Sequence, residues 1–227
     1  MSHIDEQIDL LLNACRKGNI DTVKILLGTI QDKNIFSNPQ FKQGSPVEIA
    51  IRCHRNDIIN LLLTDSRIDI HEIFYWACYY GNQLIVQLLL NKNISKNFGL
   101  RIAAKENHVE IVKMILTDDV NPNAYNDSPL YWACHNGNLE IATILMKDAR
   151  VDPSHINNFP IHIASSRGFI EIVKLLLTDK RVDPGSFSTI YWAYAHRHFD
   201  IVKLMFSHMD MSNVSDSWII DIAKKII

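Results

Sequence analysis

An alanine set among apolar neighbours recurs at Ala14, Ala50, Ala77, Ala103, Ala133, Ala164, Ala193 and Ala223, at intervals of 26 to 36 residues. The same offsets around each one are apolar. Three places before stand Leu11, Val47, Phe74, Leu100, Leu130, Ile161, Ile190 and Ile220. Nine places after come Val23, Ile59, Val86, Val112, Ala142, Val173 and Val202; twelve places after come Leu26, Leu62, Leu89, Ile115, Leu145, Leu176 and Met205. Self-similarity at such a period marks a tandem array, whose units bury their apolar faces only by stacking.

Within each unit the pattern predicts two short helices, the first too short to be stable alone. Ser45-Pro46 and Ser128-Pro129 open it in two units, a capping hydroxyl followed by a proline whose missing N–H costs nothing there. Four places after the alanine, Gly18, Gly81, Gly137 and Gly168, with Asn107 in a fifth unit, tolerate the left-handed turn that closes a helix. His54 and Arg197 hold that offset elsewhere, so those turns are expected to be strained or differently shaped. The second helix, as in Ile172-Val173-Lys174-Leu175-Leu176-Leu177, has an apolar face too wide for one partner.

The run Ser128-Pro129-Leu130-Tyr131-Trp132-Ala133-Cys134-His135-Asn136-Gly137-Asn138, followed by Leu139 to Met146, resembles the ankyrin repeat family, and so does Phe159 to Leu177. The likeness covers residues 8 to 227. It implies an all-α ankyrin-repeat solenoid, a single domain over 1–227, with seven helix-turn-helix repeats anchored at Ala14 through Ala193 and a C-terminal half repeat at Ala223. Most units fall short of the family's period of about 33 residues, so the β-hairpin fingers are expected to be shortened or absent. The connection from Gly28 to Gly44 is long enough for a full finger. Similar short-period arrays are encoded by large amoebal viruses and protists. His162 occupies the place where the family's histidine stabilises the turn.

Charge and motifs narrow the function. The chain has 23 basic and 25 acidic residues, a net charge of −2, without the basic excess of a nucleic-acid binder. No apolar run reaches the ~20 residues of a membrane span. The N-terminus shows no secretory pattern, which places the protein in the cytoplasm or nucleus, or in a host's cytoplasm if it is viral. Cys15, Cys78 and Cys134 each follow a repeat alanine and no Cys-x-x-Cys occurs, so they read as buried packing thiols rather than zinc ligands or disulfides. Cys53 lies two places further along its helix and is expected to be the most accessible. No catalytic or phosphate-binding motif is present, and no metal or cofactor is expected.

What the resemblance implies is a monomeric, non-enzymatic module binding a partner protein on its concave face. A substrate-recruiting adaptor for a ubiquitin ligase is the alternative, although the chain ends inside a half repeat with no room for an F-box-like segment; an enzyme with a site assembled across repeats is less favoured. In the family, residues two and three places after the alanine face the groove. Candidate partner-binding residues are Trp76, Tyr79, Tyr80, Lys105, Glu106, Trp132 and His135, expected as one continuous patch. Arg16, Lys17 and Arg52 add a basic end suited to an acidic flank. Tyr79 and Tyr80 are expected to be exposed and without a structural task. Tyr-Trp-Ala recurs at 75–77, 131–133 and 191–193, alternating with Ile49, Ile102, Ile163 and Ile222, which fits either interdigitating inner helices or an aromatic ladder. Trp218, Ile219, Ile220 and Ala223 are expected to cover the second helix of the seventh repeat.

Overall fold

The computed structural model describes residues 3–30, 44–126 and 128–226. The described residues are helical and contain no strand. In chain order the helices are α1 (His3–Lys17) and α2 (Ile20–Thr29), α3 (Pro46–Arg52) and α4 (Asn56–Leu62), α5 (Ile70–Tyr80) and α6 (Gln83–Leu89), and α7 (Lys96–Lys105) and α8 (Val109–Ile115). There follow α9 (Pro129–Asn136) and α10 (Leu139–Met146), α11 (His155–Ser166) and α12 (Ile170–Leu176), α13 (Phe187–Ala195) and α14 (Phe199–Ser207), then α15 (Ser217–Ile226). The connections described between pairs are turns, as the short spacing predicts. The finger expected between Gly28 and Gly44 lies outside the described residues.

The chain divides into two compact units, Met1–Glu106 and Asn107–Ile227. In the first, α1, α3, α5 and α7 pack in succession, and α2 packs on α4. In the second, α9, α11 and α13 form the same kind of row, and α8, α10, α12 and α14 form another. Every repeat alanine is buried, as are all the apolar residues nine and twelve places after it. Gly99 is buried in α7, where a Cβ would collide with Phe74, so α7 approaches α5 closely there.

The turns between paired helices share one geometry. The residue four places after the alanine has a positive φ in all seven pairs: 80° at Gly18, 76° at Gly81 and Gly137, 81° at Gly168, 63° at Asn107, 55° at His54 and 66° at Arg197. The next backbone N–H donates to the alanine carbonyl at 2.8 to 3.0 Å from Asn19, Arg55, Asn82, Asn138, Phe169 and His198. His54 and Arg197 therefore adopt the same turn as the glycines, not a different one. Their side chains pay the left-handed strain because the shared hydrogen bond fixes the backbone.

A second device ties successive repeats together. In each of Asp65-x-Arg67, Asp148-x-Arg150 and Asp179-x-Arg181 the carboxylate accepts from its own arginine, which reaches back to carbonyls of the preceding repeat. Arg67 donates to Leu27 O at 2.8 Å and to Ile30 O, at the end of α2. Arg150 donates to Thr117, Asp118 and Val120 at 2.9 to 3.0 Å, and Arg181 to Val151 at 3.1 Å. Leu27 lies in the last turn of α2, whose carbonyls the helix leaves open, whereas Thr117, Asp118, Val120 and Val151 belong to the turns that follow α8 and α10. The arginines hold their aspartates below the usual carboxylate range, Asp179 at about 2.

Two local departures complete the picture. Within α11, Ile156, Asn157 and Asn158 form a left-handed turn, and the regular helix develops around Pro160. The C-terminal cover also differs from expectation. Ile219, Ile222 and Ala223 are buried, sharing one face of α15, which packs on α14. Ile220 falls off that face and is only half-buried, while Trp218 turns to the first helix of the pair, against Phe187, Tyr191 and Tyr194 of α13.

Candidate functional site

The residues two and three places after the alanine end the first helix of each pair. Their frame is fixed by the buried alanine and the left-handed turn, so chemistry can change there without disturbing the stack. In the first unit Arg16 and Lys17 are exposed, and the Arg16 carbonyl accepts from the Arg55 guanidinium at 3.2 and 3.3 Å. Arg52 pairs with Glu48 at 3.3 Å one helical turn away, and Lys105 lies 3.8 Å from Glu106.

Tyr79 and Tyr80 are half-buried rather than exposed, and they have structural partners. The Tyr80 hydroxyl donates to Glu48 Oε1 at 2.9 Å, joining α5 to α3. Its ring stacks on Trp76 at 5.7 Å, and Tyr79 meets Trp76 and Tyr80 edge-on at 5.6 and 5.0 Å. Edge and offset contacts of this kind add to area burial. Burial, then the Glu48 contact, pushes the Tyr80 hydroxyl above its ordinary pKa.

Sequence reasoning overlooked Glu72 at the other edge of this cluster. Its carboxylate accepts from Ser45 Oγ at 2.5 Å. Burial pushes the carboxyl above its ordinary range; the Ser45 hydrogen bond opposes that shift, and Asp69 and Glu48 add to it. Also overlooked were Phe98, which stacks flat on Tyr75 at 5.8 Å, and Arg101, whose guanidinium lies 5.3 Å from the Phe98 ring centre.

The second unit repeats part of this arrangement. Trp132 and His135 are half-buried, in edge contact at 5.3 Å, and Tyr131 lies against both. Arg167 Nη2 is 2.8 Å from His135 Nε2, while His135 Nδ1 is 2.8 Å from Asn136 Oδ1. An arginine donor at Nε2 requires a neutral ring with its proton on Nδ1. His162 makes no hydrogen bond among the described residues. It is half-buried against Phe159, and burial lowers its pKa, so its part in the turn is packing.

A regularity links the Tyr-Trp-Ala triplets to the repeats that follow them. Tyr75 meets Phe98, Tyr131 stacks on Phe159 at 5.0 Å and 12°, and Tyr191 lies 5.7 Å from Trp218. Phe98, Phe159 and Trp218 each stand five places before a repeat alanine, so the sequence carries this signal at a fixed offset. The tyrosine thus meets the next repeat, while the tryptophan beside it is half-buried at Trp76 and Trp132 and exposed at Trp192.

Cys15, Cys78 and Cys134 are buried and Cys53 is half-buried. Burial pushes the Cys15 thiol up to about 12 and raises Cys78 and Cys134 as well, which suits packing rather than nucleophilic or ligand chemistry. Among the described residues no helix is long and apolar enough to cross a membrane.

A family model described as ankyrin repeats, in three copies, matches residues 74–157, and a single ankyrin repeat matches residues 157–188. No curated protein matches the chain.

Proposed function

We propose, from the premise that the chain belongs to the ankyrin-repeat family, that it binds a partner protein on the concave face lined by the first helices. Ankyrin repeats are generally protein–protein interaction modules. In this reading the repeats form one monomeric, non-enzymatic array acting in the cytoplasm or nucleus. Trp76, Tyr79, Tyr80, Lys105 and Glu106 make the anchoring cluster on the first unit, Trp132 and His135 one on the second, and Arg16, Lys17 and Arg52 a flank.

One observation carries the reading. The monotonous frame holds chemically varied side chains two and three places after the alanine, and in the third repeat these are aromatics locked by Glu48 and by one another. Tyrosine and tryptophan held rigid before a partner arrives lose little freedom on binding and anchor interfaces well.

Affinity capture followed by mass spectrometry names the partner, and titration of the purified pair then tests the face. Tyr79→Ala with Tyr80→Ala should weaken binding by at least ~2 kcal/mol, as loss of hot-spot aromatics does. Because the Tyr80 ring stacks on Trp76, Tyr80→Phe with Tyr79→Ala, which keeps that ring and loses only the hydroxyl, serves as the milder variant. Unchanged affinity in a folded double variant would place the partner elsewhere.

A further inference from the structure

The second helices open on one pattern, and α6 alone departs from it. Seven places after the repeat alanine, α2, α4, α8, α10, α12 and α14 carry an acid: Asp21, Asp57, Glu110, Glu140, Glu171 and Asp200. Each is exposed in the first turn, where negative charge suits the helix dipole. In α8 and α12 the glutamate also pairs at 2.7 Å with a lysine one turn on. In α6 the same place holds Leu84, 66% exposed, and the helix has no charged residue. Leu88, one turn further along the same face, is 48% exposed.

These leucines border a groove. It lies between α4 and α6, has a volume of about 370 Å³, and is lined by Asn60, Leu63, Ile70, Leu88, Leu89 and Lys92. The two helices run the same way. Asn82 Nδ2 donates to Asn56 Oδ1 at 2.9 Å where they begin, and Leu63 and Lys92 line the groove where they end. Single apolar side chains on a surface are ordinary, whereas a row of them beside an apolar groove marks a docking face. Charge is confined to the two ends. Lys92 stands at the closing end and Asp57 in the first turn of α4; both are exposed, and neither makes an ion pair among the described residues.

An amphipathic helix fills such a trough with side chains spaced at i, i+3, i+4 and i+7. The end charges set its direction. Helices favour acids in the first turn and bases in the last. An acid meeting Lys92 and a base meeting Asp57 therefore lay the incoming helix antiparallel to α4 and α6, with its positive pole against their negative poles. We propose that the groove between α4 and α6, rimmed by Leu84 and Leu88, docks an amphipathic helix of a partner protein, acidic in its first turn and basic in its last. The seven residues of α6 span about 10 Å at ~1.5 Å each, so about two turns of that helix make the contact. The surface belongs to a second helix, so it goes beyond the first-helix reading above and does not depend on it.

The test is a methyl NMR titration of the full chain with a synthetic helical peptide of about 14 residues. It carries leucines at i, i+3, i+4 and i+7, glutamates in its first turn and lysines in its last. Parallel arms use the same leucine face with lysines at both ends, and the original peptide with serines in place of the leucines. Saturable shifts of the Leu63, Leu84 and Leu88 methyls are expected from the first peptide, weaker binding from the second and none from the third. Leu84→Glu, which restores the acid of the other repeats, should weaken the first peptide about tenfold or more, because a leucine covered on docking is lost. Its melting temperature should be unchanged or higher. Lys92→Glu should invert the preference between the two leucine peptides. A nitroxide on the N-terminus of the first peptide should broaden Leu63 and Leu89 more than Leu84.

Equal shifts from the serine peptide, undiminished binding to folded Leu84→Glu, or shifts centred on Tyr79 and Tyr80 would each overturn the groove assignment, and the serine arm needs no variant. A peptide preference that Lys92→Glu leaves unchanged would overturn the assigned charges, and broadening strongest at Leu84 the antiparallel direction. Leucine shifts that follow the chain's own concentration, with no peptide present, would mean that a second copy covers this face, which overturns the partner helix as well.

Discussion

The third and seventh repeats carry the same Tyr-Trp-Ala triplet on α5 and α13, yet present it differently. In the third, Tyr75 and Trp76 are half-buried: Tyr75 stacks flat on Phe98, and Trp76 is held by Tyr79 and Tyr80. In the seventh, Tyr191 and Trp192 are 41% and 44% exposed, and Phe187 is 48% exposed. Among the described residues the aromatic rings beside Trp192 are those of Tyr191 and His196, and Tyr191 meets Trp218 at a tilt of 46°. The triplet is constant, so its neighbours account for the difference. Tyr79-Tyr80 becomes Ala195-His196, and Glu72 becomes Ser188. An invariant aromatic becomes a rigid anchor or an open ring according to the variable positions around it.

The sharpest way to break this contrast is to remove what covers the seventh repeat. Deleting residues 213–227 uncovers the surface now buried by Ile219 and Ile222, each worth ~1.5–3 kcal/mol. The thermal midpoint should fall by roughly 6–12 °C for a loss of at least ~3 kcal/mol in a chain of this size. Light scattering should rise as the aromatics of α13 become fully accessible. An unchanged melt would mean that α15 contributes nothing to that face.

Double-mutant cycles compare the two inter-repeat stacks directly. Tyr75→Ala with Phe98→Ala should show a coupling of ~1 kcal/mol in urea denaturation, the value of a well-placed aromatic pair, and Tyr191→Ala with Trp218→Ala less. Equal couplings would erase the distinction between flat and tilted stacks.

In the turns that close the first helices, a residue other than glycine or asparagine takes the left-handed position once in each unit, at His54 and at Arg197. Glycine removes a left-handed cost of ~1–2 kcal/mol but gives back part of it through the freer unfolded chain. His54→Gly and Arg197→Gly should therefore each stabilise by ~0.5–1 kcal/mol, read as a raised denaturation midpoint. A loss of stability in either would show that its side chain does more than endure the turn.

The smallest effect concerns acid. Asp65 in the first unit, and Asp148 and Asp179 in the second, have folded pKa values below the unfolded value near 3.9. Their contribution is complete above about pH 4 and is lost as pH falls toward about 2, where Asp179 titrates. Melts between pH 5 and pH 2 should decline less steeply in Asp179→Asn than in the parent. The difference should be slight, because surface ion pairs are well screened. Parallel slopes would mean that Arg181 is held without its carboxylate.

Most of the fold could be read from the residues because a stack repeats its demands. The alanine, its apolar partners nine and twelve places on, and the glycine turn are short-range requirements, and every unit states them again. The site was read less completely, for physical reasons. Tyr79 and Tyr80 looked exposed because Glu48 belongs to another helix and Trp76 becomes a partner only through the matching of successive turns on one helix face. Glu72 resembled any charged residue near a helix start, since nothing local reveals that α3 covers it. Arg67, Arg150 and Arg181 resembled solvated turn residues because the carbonyls they serve lie a whole repeat upstream. The residues at offset five were within reach of the same periodic reading, and only a wider search of offsets was needed.

Those three arginines give the molecule a direction. Each closes backbone acceptors belonging to a segment 30 to 40 residues earlier in the chain. As synthesis proceeds from the N-terminus, such a segment emerges with its last carbonyls open and is finished only when its successor has been made. A translation product cut short at the C-terminal side therefore presents an uncompleted edge, whereas a chain trimmed from its start removes acceptors and leaves none stranded. Quality control that senses open backbone acceptors would distinguish the two kinds of fragment by which end is missing.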